Sequence, residues 1–178
     1  GNSITLSALG GIGEVSDVLE IDSSVQSLGV VQALAGDGVF LREVQGNLNL
    51  VAVASNYADV VLLAPTGAIL EGTDDPEADI QGRNIDLYAA DGIAHAGNPL
   101  EIYGAGVGQR QNPLRITTAV PEDGRLFATS AQDIHLVEVN GALRVLKVQS
   151  DAGSVGLSVL DTVLLDNAFA GPYGEDLV

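Results

Sequence analysis

Two stretches of the chain carry the same short segments in the same order, and this internal repetition restricts the folds that the sequence can adopt. Residues 1–6 resemble residues 82–87, and residues 18–21 resemble residues 99–102, each at an offset of 81 residues. Repetition of this kind is typical of arrays in which each unit buries its apolar face against its neighbour. The pattern therefore favours a scaffold or a fibre over a compact enzyme.

The match continues at a larger offset, and the difference has a visible source. Residues 44–50 resemble residues 139–145 at an offset of 95 residues. Within the second stretch, residues 98–102 recur fourteen residues later as residues 112–116. One strand and its turn are therefore duplicated. A solenoid accommodates such an insertion as extra coil or as a bulging loop, whereas a closed globular core seldom does.

Short alternations of apolar and polar residues run along the whole chain. Residues 4–6, 48–50, 85–87 and 134–136 each read apolar–polar–apolar, and Gly, Asn, Asp or Ser closes such segments. Period-two alternation bounded by turn-forming residues predicts short, half-buried strands with corners between them. No segment has a sustained 3.6-residue apolar period, so we expect almost no helix.

These patterns predict an all-β fold, a parallel β-helix (solenoid) made of two units. The units are residues 1–82 and residues 83–178, and the second carries the 14-residue duplicated insertion. A β-sandwich has similar strand spacing, but it does not require two units with the same internal order. The side chains expected to face the interior are Ile4, Leu6, Leu19, Ile21, Leu48, Leu50, Ile85, Leu87, Leu100, Ile102, Leu143 and Val145.

Composition and charge exclude several classes of function. The chain has no Cys, which removes disulfides, thiolate metal sites and a cysteine nucleophile. Its 24 acidic and 7 basic residues give a formal net charge of −17, so binding to nucleic acid or to an anionic membrane is disfavoured. No apolar run has the length of a membrane span, so we expect no membrane insertion.

The order and composition of these segments resemble those of a known class of protein. Residues 3–8, 11–13, 19–21, 46–50 and 67–70 together resemble the giant repetitive β-strand-repeat exoproteins of bacteria, similar to the filamentous-haemagglutinin type of adhesin. The resemblance covers nearly the whole chain and consists of strands and corners. It implies right-handed parallel β-helix rods at the cell surface or outside the bacterium. It also implies a role in adhesion, biofilm or sheath building, with surface glycans as possible partners.

An acidic loop is the candidate metal site. Asp74, Asp75, Glu77 and Asp79 offer several carboxylate oxygens, the ligands that Ca²⁺ prefers. Their spacing does not follow an EF-hand loop, and the matching residues 166–176 keep fewer acids. A solvated loop between the two units is the preferred interpretation, so no cofactor is assigned and Ca²⁺ stays an option.

A carbohydrate-active β-helix enzyme, a lyase or hydrolase of acidic polysaccharides, is the alternative function. Glu20 and Glu101 occupy matching positions and could supply carboxylates to one face. Both are, however, the middle residues of apolar–polar–apolar strands, which is an ordinary outward position. His95 and His135 have no ligand-like neighbours in the sequence. We therefore expect no catalytic residues and no enzyme activity.

The prediction for function is an extracellular structural or adhesive rod segment of a repetitive bacterial surface or secreted protein. A solenoid without end caps leaves unpaired strand edges, which invite further stacking. Neighbouring copies or repeats stacked head to tail are thus the expected partners, and assembly of separate chains into a filament is one form of that stacking.

Overall fold

The chain forms two parallel β-sheets that face each other across a shared apolar core. The structure is a computed structural model, and it describes residues 3–24, 29–104, 125–140 and 143–160. Its described part contains strands, turns and no helix. The prediction of an all-β fold with almost no helix is therefore confirmed for these residues.

Fourteen short strands make up the two sheets in the described part of the chain. They are β1 Ile4–Ala8, β2 Leu19–Ile21, β3 Val31–Ala35, β4 Val39–Glu43, β5 Leu48–Ser55, β6 Val60–Ala64, β7 Ile69–Glu71, β8 Ile80–Gln81, β9 Ile85–Ala89, β10 Leu100–Tyr103, β11 Leu126–Ser130, β12 Ile134–Glu138, β13 Val145–Ser150 and β14 Val155–Val159. One sheet has the order β1-β3-β5-β8-β10-β12-β14, with β7 also paired to β5, and the other has the order β13-β11-β9-β6-β4-β2.

Successive strands alternate between the two sheets, except that β7 and β8 both lie in the eight-stranded sheet, and every pairing between named strands is parallel. In the six-stranded sheet, Val39 pairs with Val60, Val60 pairs with Ile85, and Ile85 pairs with Leu126. The last step spans more sequence than the others because residues 105–124 lie within it. The predicted duplicate at residues 112–116 falls there, outside the described residues.

Alternation of side chains builds the core. In β4, β6 and β9 every second residue is buried, and the residues between them are half-buried or exposed. Burial of these Val, Leu, Ile and Ala side chains from both sheets forms one continuous cluster. Removal of apolar surface from water is the main driving force for such a fold, at about 25 cal/mol per Å².

Most of the side chains predicted to face the interior do so. Seven of the twelve are buried, and Ile4, Leu6 and Leu143 are half-buried against the core. The prediction is wrong for Leu19 and Val145, which are 39% and 48% exposed. Both lie in strands at an edge of the six-stranded sheet, β2 and β13. Their side chains are therefore covered by a neighbouring layer on one side only.

The repeated segments form the same local structure in opposite sheets. Ile12 bridges Val39, a short loop follows, and β2 then pairs with β4 in the six-stranded sheet. Ile93 likewise bridges Ile134, and β10 pairs with β12 in the eight-stranded sheet. Segments that match at an offset of 81 residues thus lie in different sheets. The sequence comparison did not reveal this difference.

The acidic loop lies within the eight-stranded sheet. Residues 72–79 lie between β7 and β8, and both of these strands pair with β5. Leu48–Leu50 contacts β7, whereas Val53 and Ala54 contact β8. The loop therefore projects from within this sheet, where it interrupts a strand. The division of the chain into two units on either side of this region stays a prediction.

Candidate functional site

Three carboxyl groups meet at the base of the acidic loop. Glu71 is the last residue of β7, Asp79 precedes β8, and Glu101 lies in β10, the next strand of the same sheet. One carboxylate oxygen from each residue lies within 4.8 Å of the corresponding oxygens of the other two. The register places them together, since Ile102 pairs with Ile80 and the residues before them lie side by side.

The backbone holds Asp79 and Glu101 against each other. The amide of Asp79 donates to the carbonyl oxygen of Glu101 at 2.9 Å, and the amide of Glu101 donates to Asp79 Oδ2 at 3.0 Å. On its other side, the carbonyl oxygen of Asp79 accepts the amide of Val53 in β5 at 2.6 Å. Asp79 is 2% exposed, so its carboxyl group is fixed between two strands and shielded from solvent.

Hydrogen bonds within the loop bring its acidic residues toward the same place. Glu71 Oε1 accepts the amide of Asp75 at 3.3 Å, and Asp75 Oδ1 accepts the amide of Glu77 at 3.0 Å. These are the side-chain-to-backbone bonds by which Asp and Glu order tight turns. The loop therefore folds back on Glu71 and keeps its negative charges near the base.

Burial and mutual repulsion raise the pKa values of all three carboxyl groups. The pKa of Asp79 is raised to about 8, first by burial and then by the negative charges of Glu71 and Glu101. Burial is also the largest cause of the raised pKa values of Glu71 and Glu101, and Asp74 and Asp75 add repulsion at both. Asp79 therefore holds a proton near neutral pH unless a cation replaces it.

Several oxygen atoms here are buried without a hydrogen-bond partner among the described residues. Glu71 Oε2, Thr73 Oγ1 and Glu101 Oε2 each expose less than 1 Å² and accept or donate no hydrogen bond within the described ranges. Buried polar atoms in native proteins are nearly always paired with protein, water or an ion. The arrangement can accept either shared protons or a hard cation with oxygen ligands.

The predicted metal ligands are only partly brought together. Of the four predicted residues, Asp79 belongs to the cluster, whereas Asp74, Asp75 and Glu77 have exposed side chains in the loop. The matching loop at residues 166–176 lies outside the described residues. Glu71 was missed, although it directly precedes the loop and the sequence carries that signal. Glu101 was treated as a surface residue because nothing in the sequence gives the register between β8 and β10.

The two repeat-related glutamates have different surroundings. Glu20 lies in the six-stranded sheet, is exposed, and pairs with Arg42 at 3.2 Å. Glu101 lies in the eight-stranded sheet beside Asp79. The structure therefore does not place both on one face. His95 is exposed in the loop before β10, and His135 lies in β12.

A second pair of repeat-related glutamates is fully buried. Glu43 accepts the amide of Ser23 with both carboxylate oxygens, at 3.1 and 3.0 Å, and the Ser23 hydroxyl donates to it as well. Glu138, at an offset of 95 residues, accepts the amide of Gly104 at 3.0 Å. Burial raises the pKa of Glu138 to about 7. Each glutamate thus binds the turn after one strand to the next strand of the same sheet. This contact stabilises the fold.

The site is interpreted from its own geometry. No family model, curated protein or solved structure matches the chain. Among the described residues, no helix has the length and apolar character needed to cross a membrane.

Proposed function

We propose that the chain is a β-helix, a solenoid whose coils each contribute one strand to either sheet, and that it serves as a structural rod segment. The supporting observation is the uninterrupted parallel pairing from β1 to β14 and from β2 to β13, with successive strands alternating between the sheets except at β7 and β8, which share one sheet. In such a rod every layer forms hydrogen bonds with the backbone N–H and C=O groups of the next layer. A pulling force along the axis is therefore shared by all the layers.

The location and role follow from the resemblance and the charge. A repetitive, cysteine-free, strongly acidic chain suits an extracellular or cell-surface rod of the adhesin-like class of bacterial exoproteins. In this proposal adhesion comes from repeated outer faces that contact surface glycans or neighbouring copies. Mechanical support and display are the activity, and no chemical step is required.

Stacking between copies is proposed to use the unpaired edges of the sheets. Within the described residues, β1 and β2 form one pair of edges, and β13 and β14 form the other. In β13 and β14, Leu146, Val155 and Val159 are 60%, 45% and 47% exposed. An open edge with apolar side chains is a template for further strand pairing.

Electron microscopy of the purified chain across a dilution series tests this proposal. Seven strands follow one another along the longer sheet, so one chain spans about 30 Å at about 4.8 Å per strand. We expect fibres many times longer, with diffraction near 4.8 Å along the fibre axis. Particles that stay single at all concentrations would contradict stacking. A compact particle with no 4.8 Å repeat along one axis would contradict the rod itself.

The carbohydrate-active enzyme is kept as the second candidate because of one observation. A carboxyl group with a pKa of about 8, as for Asp79, stays protonated at neutral pH and can act as a general acid. This candidate requires that the chain cleave acidic polysaccharides and that Asp79→Asn abolish the cleavage. The rod proposal expects no cleavage product from either protein.

A further inference from the structure

We propose that Glu71, Asp79 and Glu101 form a binding site for one divalent cation, with Ca²⁺ as the preferred ion. The site lies where the acidic loop meets the neighbouring strand β10. The inference does not depend on the rod function, because it concerns a local ligand set that would bind the ion in a protein of any role.

The spacing of the oxygen atoms fits Ca²⁺. Ca²⁺ binds oxygen at about 2.3–2.6 Å, so oxygens that share one ion lie at most about 5 Å apart. The three carboxylate oxygens of the cluster lie within 4.8 Å of one another. Mg²⁺ binds oxygen at about 2.0–2.1 Å in a strict octahedron and gives up its water reluctantly. The cluster suits the larger, more adaptable ion.

The second, independent observation is the set of buried oxygen atoms without partners. Glu71 Oε2 and Glu101 Oε2 expose less than 1 Å² and have no hydrogen-bond donor among the described residues. Leaving a buried acceptor unpaired costs about 1–3 kcal/mol, and more when it is charged. A bound cation would pair the two carboxylates at once.

Rigid placement of the central ligand supports the same conclusion. Asp79 is 2% exposed, and backbone hydrogen bonds join it to Val53 on one side and to Glu101 on the other. The ligand is therefore oriented before the ion arrives. Glu71 comes from the preceding strand, β7, and Glu101 comes from the neighbouring strand, β10. The ion would therefore connect the loop to the sheet and β7 to β10.

Calorimetric titration of the whole chain with Ca²⁺, after removal of metals by a chelator, tests the proposal. We expect saturable binding of about one ion per chain with a dissociation constant below about 1 mM, and weaker binding of Mg²⁺. Asp79→Asn and Glu101→Gln should each weaken Ca²⁺ binding at least about ten-fold. The matched control is Glu20→Gln, which changes the repeat-related glutamate of the other sheet and should leave Ca²⁺ binding unchanged.

Two results would overturn the proposal. These are no saturable binding up to about 10 mM Ca²⁺, or equal losses in Glu20→Gln and Glu101→Gln. If Asp79→Asn does not fold, as judged by circular dichroism, the titration of the unaltered chain and the comparison of Glu101→Gln with Glu20→Gln still decide the matter.

Discussion

At the residue scale, positions 13 and 94 have the same backbone conformation in the two repeated segments but carry different residues. Gly13 has φ 68° and Ala94 has φ 54°, both in the left-handed region, and they are separated by the repeat offset of 81 residues. A Cβ atom on Gly13 would overlap the carbonyl oxygen of Phe40 and the amide nitrogen of Leu19. Ala94 keeps the same turn at the steric cost that an L-residue has there.

Exchanging the two residues should therefore have unequal effects. Gly13→Ala adds both backbone strain and a clash with backbone atoms, so we expect a loss of more than about 2 kcal/mol in the free energy of unfolding. Ala94→Gly relieves strain but frees the unfolded chain, so we expect a change between about 0 and +1 kcal/mol. Urea unfolding measures both. Equal losses in the two variants would show that the two turns are not equivalent.

Glu138 provides a second prediction at this scale, because the residue that faces its repeat counterpart offers one more hydrogen-bond donor. Ser23 offers Glu43 an amide and a hydroxyl, whereas Gly104 offers Glu138 only an amide, and Glu138 Oε1 is buried without a partner among the described residues. A Cβ on Gly104 would lie 3.5 Å from Glu138 Oε2, an ordinary contact distance. Gly104→Ser can therefore supply the missing donor.

The expected gain depends on pH, and its sign follows from the raised pKa. The folded pKa of Glu138 is about 7, whereas the unfolded value is about 4.3. The folded state thus holds the extra proton between these values, and the contribution of Glu138 to stability falls as the pH rises through that interval. Because a hydroxyl donates most strongly to the charged carboxylate, Gly104→Ser should add about 1–2 kcal/mol at pH 8 and less at pH 5.

Gly104→Ala is the matched control, since it adds the same Cβ without a hydroxyl. Thermal unfolding at pH 5 and pH 8, in a chelator to keep the acidic cluster free of metal, measures both variants. A pH-independent gain, or an equal gain in Gly104→Ala, would contradict the assigned hydrogen bond.

Leucines in different strands differ in how much they contribute to stability, because a central strand has neighbouring strands on both sides and an edge strand has one on one side only. Leu62 in β6 is fully buried in the middle of the six-stranded sheet, whereas Leu19 in β2 is 39% exposed at its edge. We expect Leu62→Ala to lower the free energy of unfolding by about 3–4 kcal/mol, and Leu19→Ala by about 1 kcal/mol. Chemical denaturation measures both. Similar losses would mean that β2 is covered by something beyond the described neighbours.

Strand positions could be predicted from the sequence, but their distribution between the sheets could not. Alternation at residues 48–50 and 85–87 identifies β5 and β9 because the side-chain period of a strand is two. Alternation says nothing about which sheet a strand joins, since both sheets present one face to the same core. The matching segments at residues 19–21 and 100–102 therefore looked equivalent while they belong to opposite sheets.

Because the sequence does not reveal which strands pair, only part of the candidate site could be predicted. Asp79 and its acidic neighbours stand out by composition, so part of the cluster could be predicted. Glu101 joins it only through the pairing of β8 with β10, a contact between distant parts of the sequence. Glu71 ends β7 just before the run of acids that begins at Asp74, and only the return of the loop to β8 brings its carboxyl group to Asp79.

At the scale of the whole molecule, the described residues form two parallel sheets, in which each strand pairs with the neighbouring strands of its own sheet. Repetition together with the absence of helical periods led to the all-β prediction, and the described residues confirm that much. The closed coil of a β-helix and the rod function remain proposals that rest on the alternation of strands between sheets. The unit boundaries at residues 1–82 and 83–178 stay a prediction.

The layer-by-layer parallel register is the central claim, and disulfide trapping tests it most directly because the chain has no cysteine of its own. Arg42 pairs with Leu63 in the next strand, and Leu63 pairs with Tyr88 in the one after. Neighbouring strands lie about 4.8 Å apart, within the reach of a disulfide, whereas two layers span about 10 Å, beyond it.

The measurement compares two double variants under mild oxidation, read by mobility on a non-reducing gel. Arg42→Cys with Leu63→Cys should close a disulfide readily, and Arg42→Cys with Tyr88→Cys should stay open. That result would support the strand order in which β6 lies between β4 and β9, so that the chain adds the next strand each time it returns to this sheet. Failure of the first pair, or equal closure of both, would contradict the parallel register and the stacked layers that depend on it.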